Sequence, residues 1–171
     1  MKKTMLLFLL PAMLAFVYIG VKQWKLSETY SVTFSSPDIS GRFKTIKAEI
    51  AFDEKDLKGS FFNAQVDVNS LETGNPSMNS TATSEDMLDA KKFPNILFRS
   101  TTVEKKDTSY ITRGILDMHG TKKEISIPFS FHGKIFTGTF TVACSAYGMK
   151  GAGKGASDTV KIRLSIPVTE K

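Results

Sequence analysis

Polar and apolar residues alternate along most of this chain, and such alternation is compatible with little besides half-buried strands. An extended backbone throws successive side chains to opposite faces, so a period of two sorts residues by face. Residues 160–168 are the clearest case. Val160, Ile162, Leu164, Ile166 and Val168 share one side, and Lys161, Arg163 and Ser165 take the other. The pattern recurs over residues 30–35, 43–52, 60–69, 95–103, 110–118, 124–131 and 134–142. About eight strands result, divided by turn chemistry at residues 53–59, 104–109, 119–123 and 132–133. Strands with one apolar side predict an antiparallel sheet. Eight of them close into a barrel or fold into a sandwich, and a barrel leaves no open edge.

The chain opens differently. Met1-Lys-Lys is a positive head, and residues 4–21 carry no charge. That order is a secretory leader's, although the apolar run approaches the ~17–25 residues needed to span a bilayer. No small-x-small cleavage pattern follows. Two outcomes stay open: a cleaved signal peptide, or an anchor in the inner membrane formed by residues 4–21. Both place one β-domain, residues 24–171, outside the cytoplasm, periplasmic or secreted.

The net charge is +6, and the lysines are scattered along outer strand faces. Without a basic-aromatic motif, nucleic acid is not an expected partner. A single cysteine, Cys144, excludes an internal disulfide and reads as a small apolar packing residue. The two histidines, His119 and His132, each precede a glycine at a turn. No zinc-ligand spacing and no nucleophile elbow occurs, so neither a metal site nor a catalytic residue is expected.

Two stretches break the alternation. In residues 71–94, Thr73-Gly74-Asn75-Pro76 is turn chemistry, and Ser84 is placed to cap a helix over residues 85–92. Glu85 and Asp86 would fall in its first turn and Lys91 and Lys92 in its last, which suits the helix dipole. Pro94 ends it. Met87, Leu88 and Phe93 would give this insert an apolar side, as a lid over an opening or as a plain plug. Residues 144–158 are glycine-rich between two strands and read as a flexible hairpin loop rather than a phosphate cradle.

Thirteen phenylalanines stand out. Phe34, Phe52, Phe62 and Phe98 fall on inward faces, as do Phe129, Phe131 and Phe140. Val66 and Leu164 join them. A packed core and the lining of an apolar tunnel both need these residues inside, and periodicity does not separate the two.

Asp86 through Ser100, with Ala90-Lys-Lys-Phe-Pro-Asn-Ile-Leu-Phe-Arg-Ser100 at its centre, resembles the D-A-x-K-[FY]-P-x-I-x-F-x-S signature of the YceI-like family. Further pieces follow in order. Trp24-Lys-Leu is similar to the family's first strand, and Gly41-Arg-Phe43 to its G-x-F. Ile50-Ala-Phe-Asp53 resembles I-x-F-D. Ser70-Leu-Glu-Thr-Gly-Asn75 resembles the S-I-x-T-G-N turn. Gly114 to Lys123 resembles G-x-L-T-I-x-G-x-T-K, and Ala146-Tyr-Gly-Met149 resembles D-[FY]-G-I. Two pieces depart. Met78–Ala82 stands where the family has R-D-x-H-L, and Cys144-Ser-Ala146 where it has R-S-D.

The resemblance implies an eight-stranded, lipocalin-like barrel with a short helical insert. It implies binding, sequestration or transport of an elongated apolar lipid: an isoprenoid, a quinone or a fatty acid derivative. The tunnel lining would be Phe34, Phe52, Val66, Phe98, Phe129, Phe131, Phe140 and Leu164, with Met87, Leu88 and Phe93 at the mouth. No cofactor besides the lipid and no enzymatic activity is implied. The membrane is a partner through the leader if uncleaved, and homodimerisation stays open. The departures remove cationic and imidazole groups, and Arg99, Arg113 and Arg163 face outward in this register. A neutral headgroup is therefore expected over an anionic one. The alternative is a structural or partner-binding β-domain with a filled core and no ligand.

Overall fold

Eleven strands form a single antiparallel sheet in the computed structural model, which describes residues 20–150 and 157–171. They are β1 (Gln23–Leu26), β2 (Ser31–Ser35), β3 (Ser40–Phe43), β4 (Ile46–Ala51), β5 (Phe61–Asp67) and β6 (Leu71–Glu72). Then come β7 (Asn95–Lys106), β8 (Ser109–Met118), β9 (Thr121–His132), β10 (Ile135–Ala143) and β11 (Thr159–Glu170). Following the hydrogen bonds from β1 through β4, β5, β7, β8, β9, β10 and β11 leads back to β1, where Trp24 faces Glu170 and Leu26 faces Val168. The ring is a closed eight-stranded barrel. Three of its strands are broken: β2, β3 and β6 prolong β1, β4 and β5 toward one end.

The breaks are stitched by side chains, because a bend inside a sheet leaves backbone groups without partners. Tyr30 donates its hydroxyl to the Lys44 carbonyl (2.8 Å) and accepts from the Ile46 amide (3.2 Å). Ser70 Oγ accepts from the Thr45 amide at 3.0 Å. The long hairpins need no such help. Two-residue connections with positive φ at both positions, His119-Gly120 and Gly133-Lys134, match the twist of the strands they join.

The one α-helix among the described residues is α1, Pro76–Ala82. The expected helix over residues 85–92 is not there. Asn75 caps α1 by accepting from the Ser77 and Met78 amides, and Pro76 sits in the first turn, where its missing N–H costs nothing. Ser84 spends its hydroxyl on the Thr81 carbonyl, behind α1 rather than ahead of a second helix. Asp89 takes a left-handed φ of 45°, which breaks any helical continuation, and residues 84–92 run as consecutive turns. Asn75-Pro76, read as turn chemistry, is the stronger helix start.

Residues 1–19, which hold most of the expected leader over residues 1–21, and residues 151–156 of the glycine-rich stretch lie outside the described residues. Among those described, no helix is long and apolar enough to cross a membrane. The strand at Trp24 is marked by the family resemblance and not by the alternation, and it is the strand that closes the ring.

Candidate functional site

The barrel interior differs along its axis. At the end holding the β7–β8 and β9–β10 turns, aromatic rings fill it. Phe52 is 1 % exposed and meets Phe131, Phe136 and Tyr110 edge-on at 5.2, 5.3 and 5.2 Å. Phe131 stacks on Phe136 at 4.3 Å, and Trp24 abuts Phe131 at 5.2 Å. Each such pair adds about 0.5–1.5 kcal/mol beyond its buried area. The polar handles are satisfied. Trp24 Nε1 donates to the Phe52 carbonyl at 2.8 Å, and the Tyr110 hydroxyl donates to Glu54 Oε1 at 2.6 Å. That bond to Glu54, with burial and the carboxylate charge, pushes the Tyr110 pKa up to about 12. This end is a floor.

Above the floor the barrel is hollow. A cavity of about 200 Å³ runs up the interior. A cavity of about 150 Å³ lined by similar side chains already admits benzene. The wall is apolar apart from Asn63 and Thr112. The donors of both are engaged elsewhere: Thr112 Oγ1 donates to the Thr102 carbonyl (3.1 Å), and Asn63 Nδ2 donates to Glu49 (3.0 Å). The inward residues of β11, Ile162, Leu164 and Ile166, are only half-buried although they face the barrel axis. Side chains in a filled core would be fully buried.

The residues expected to line a tunnel divide between these zones. Val66, Phe98, Phe129, Phe140 and Leu164 line the cavity. Phe52 and Phe131 do not; they belong to the floor cluster. Phe34 does not either. It packs on Phe43 (5.4 Å) in a third cluster with Leu71 and Ala82, seated over Gly41, where a Cβ would lie 2.6 Å from its ring. All three face inward as the alternation requires, but at heights where neighbours fill the space.

Of the residues expected at a mouth, none lines the cavity. Leu88 packs against two apolar clusters, Met87 is half-buried, and Phe93 lies edge-on to His119 at 5.2 Å over Gly120. The segment carrying them follows β6, where the sheet gives out before β7 begins, and so covers that end without a lid helix.

Lining residues missed by sequence reading include Thr112, Leu116 and Met118. Their signal was present: Tyr110, Thr112, Gly114, Leu116 and Met118 alternate strictly and are all buried. Arg99, Arg113 and Arg163 are exposed, in the outward register expected of them. Cys144 is buried, and burial together with Asp158 pushes its thiol pKa up, which keeps it neutral and unreactive. Among the described residues, no group of three or more His, Cys, Asp or Glu is arranged to hold a metal ion.

A closed antiparallel eight-stranded barrel around a blind apolar cavity defines the class. The YceI-like domain model matches residues 22–168, and the chain belongs to that family. A UPF0312 protein of Vibrio parahaemolyticus is 35 % identical over 96 residues, 56 % of this chain and 51 % of that protein. The chain thus spans about half the length of the first curated relatives it matches. A UPF0312 protein of Pseudomonas savastanoi is 30 % identical over 145 residues, 78 % of this chain and 74 % of its own. The fold matches Burkholderia cenocepacia BcnA with a TM-score of 0.76 at 24 % identity, over 85 % of this chain and 99 % of that one. It also matches a polyisoprenoid binding domain from Saccharophagus degradans, with a TM-score of 0.64 at 12 % identity, over 88 % and 99 %.

Proposed function

We propose that this barrel binds an elongated apolar lipid in its cavity and holds it away from water. The observation that carries the reading is the half-exposed inner face of β11 around a cavity with no charged residue in its wall. Burying each CH₂ group contributes about 0.8 kcal/mol, so a chain of modest length is held without directional contacts. The solved Saccharophagus degradans domain of the same fold is described as polyisoprenoid binding, which supports an isoprenoid chain as the ligand; a quinone or a fatty acid derivative would meet the same apolar wall. Sequestration or transport outside the cytoplasm follows from the leader, whether residues 1–21 are removed or retained as an anchor.

An uncharged headgroup suits this wall. A buried carboxylate or pyrophosphate needs cationic or multiple hydrogen-bonding partners, and desolvating it without them is expensive. The rival reading, a partner-binding β-domain with a filled core, fits the floor but not the hollow above it.

The test is direct. Protein purified without detergent is extracted with organic solvent, and the extract is analysed by mass spectrometry, beside a titration with a decyl-tailed benzoquinone. A chain-bearing species near one per protein, or saturable uptake of the quinone, is the expected result. An empty extract together with no uptake rejects lipid binding.

A further inference from the structure

One buried side-chain polar atom among the described residues lacks a hydrogen-bond partner: the hydroxyl of Tyr147. Buried hydroxyls almost always find partners, and leaving one without costs enough that each case needs a reason. Tyr147 is 3 % exposed and firmly held. Its amide donates to the Cys144 carbonyl at 3.0 Å, and its own carbonyl accepts from His119 Nδ1 at 2.9 Å. The Ser145–Tyr147 turn is pinned by Asp158, which accepts from the Ser145 amide (2.6 Å) and hydroxyl (2.8 Å). Only the phenol end is unengaged.

The ring belongs to one apolar cluster with Phe98, Leu116, Met118, Ile127 and Val142, and all five of these also line the cavity. Tyr147 does not itself line the cavity; it packs in the cluster behind this part of the wall, at the end away from the aromatic floor. Met118 and Met149 share the cluster. Unbranched thioether chains rearrange at low cost, so this is the part of the wall able to yield to an incoming group. Burial raises the Tyr147 pKa, so the phenol keeps its proton and acts as a donor. No charged residue lines the cavity in front of it.

We infer that Tyr147 is the polar contact of the site, donating its hydroxyl hydrogen to an uncharged acceptor oxygen, a ketone or quinone carbonyl, on the head of the bound chain. This rests on the lipid-binding reading and adds to it the headgroup chemistry and the residue that selects it. One neutral donor matches one carbonyl oxygen. It leaves a carboxylate or phosphate mostly uncompensated.

The experiment uses the full chain and two probes that share a tail: a decyl-tailed benzoquinone, and decylbenzene, which has no acceptor oxygen. Wild type should bind the quinone about tenfold tighter than decylbenzene, the scale of one net hydrogen bond. Y147F should erase that preference and leave decylbenzene binding unchanged. Ligand-free Y147F should also unfold at higher temperature, because an unsatisfied buried hydroxyl is gone. Independently of any variant, the carbonyl stretch of the bound quinone should move to lower wavenumber in wild type. A preference that survives in Y147F, an unshifted carbonyl band, or a ligand-free Y147F less stable than wild type each overturns the assignment while lipid binding stands. Failure of both probes to bind wild type rejects lipid binding itself, and the assignment with it.

Discussion

The two ends of this barrel are built from the same alternation and do opposite things. At the floor, inward positions carry Trp24, Phe52, Tyr110, Phe131 and Phe136, whose rings meet across the axis and leave no space. Further up, inward positions carry mainly aliphatic side chains such as Val66, Ile162 and Leu164, which are too short to meet their opposite numbers, and the axis stays open. The filled core and the hollow site, rivals at the level of the sequence, are both present at different heights. The difference teaches that side-chain reach, not orientation, decides whether an inward face becomes a core or a container.

The largest effect should come from breaking the floor. Phe52→Ala removes a ring that touches five others and leaves a void that its fixed neighbours cannot close, so a loss of about 3–5 kcal/mol is expected in urea unfolding. Leu164→Ala, in the wall, enlarges a space that is already empty and should cost less than half as much. Equal costs at the two positions would mean that the wall is packed as tightly as the floor.

Filling the container should separate binding from stability. Leu164→Trp puts a large ring into the cavity, with little backbone strain because room exists. Uptake of a decyl-tailed benzoquinone should fall about 100-fold, equivalent to ~2.7 kcal/mol. The unfolding midpoint should move little. A variant that still binds like wild type would place the ligand outside the barrel.

How much of this was legible in the sequence follows the same division. The inward face of every long strand was readable, because period two depends only on local order; Val160 to Val168 needed no structure. Closure was not, since it hangs on the four residues of β1 pairing with β11 far along the chain. The helix was misplaced because two local start signals compete within residues 73–92, and the left-handed turn at Asp89 that rejects the second is not written in a cap pattern. Of the site, Phe98, Phe129 and Leu164 were legible as inward residues. Phe34, Phe52 and Phe131 were indistinguishable from them, because alternation reports which way a side chain faces and not what stands opposite. Tyr147 carries no periodic signal at all, lying in a short turn between strands.

Alkaline titration reads the floor through Tyr110, beside Cys144, Tyr147 and Lys150 toward the other end, whose pKa values are also raised. Tyr110 holds its proton up to about pH 12 in the folded chain, against an ordinary value of 10.0. Between those values the unfolded chain has lost a proton that the folded chain keeps. The unfolded state then binds fewer protons, so stability falls as pH rises. The contribution is fully present below pH 10 and is lost through about pH 12. Glu54→Ala removes the hydrogen-bond acceptor that causes the largest part of the shift, and the charge with it, and should flatten that part of the profile, measured by urea unfolding from pH 9 to 12. An unchanged slope would mean that another group governs alkaline unfolding.

The smallest effect belongs to the cover at the hollow end. There Lys150 bonds Asp86 through its ammonium (2.8 Å) and through its amide to the Asp86 carbonyl (2.9 Å), tying the turns after α1 to the turn after β10. Both side chains are largely exposed. Asp86 raises the Lys150 pKa by hydrogen bond and charge, yet in water such a pair contributes little. Asp86→Ala should leave the global urea-unfolding midpoint essentially unmoved. Its consequence should be local. Amide exchange at Lys150 should speed up, because the backbone bond there loses its neighbouring tether, while exchange at Phe52, whose amide is bonded to the Lys22 carbonyl beneath the aromatic floor, should not change. That contrast is expected if the cover opens on its own, as an entrance for a chain must. Equal acceleration at both amides would tie the two ends into one cooperative unit and leave the cavity without an independent way in.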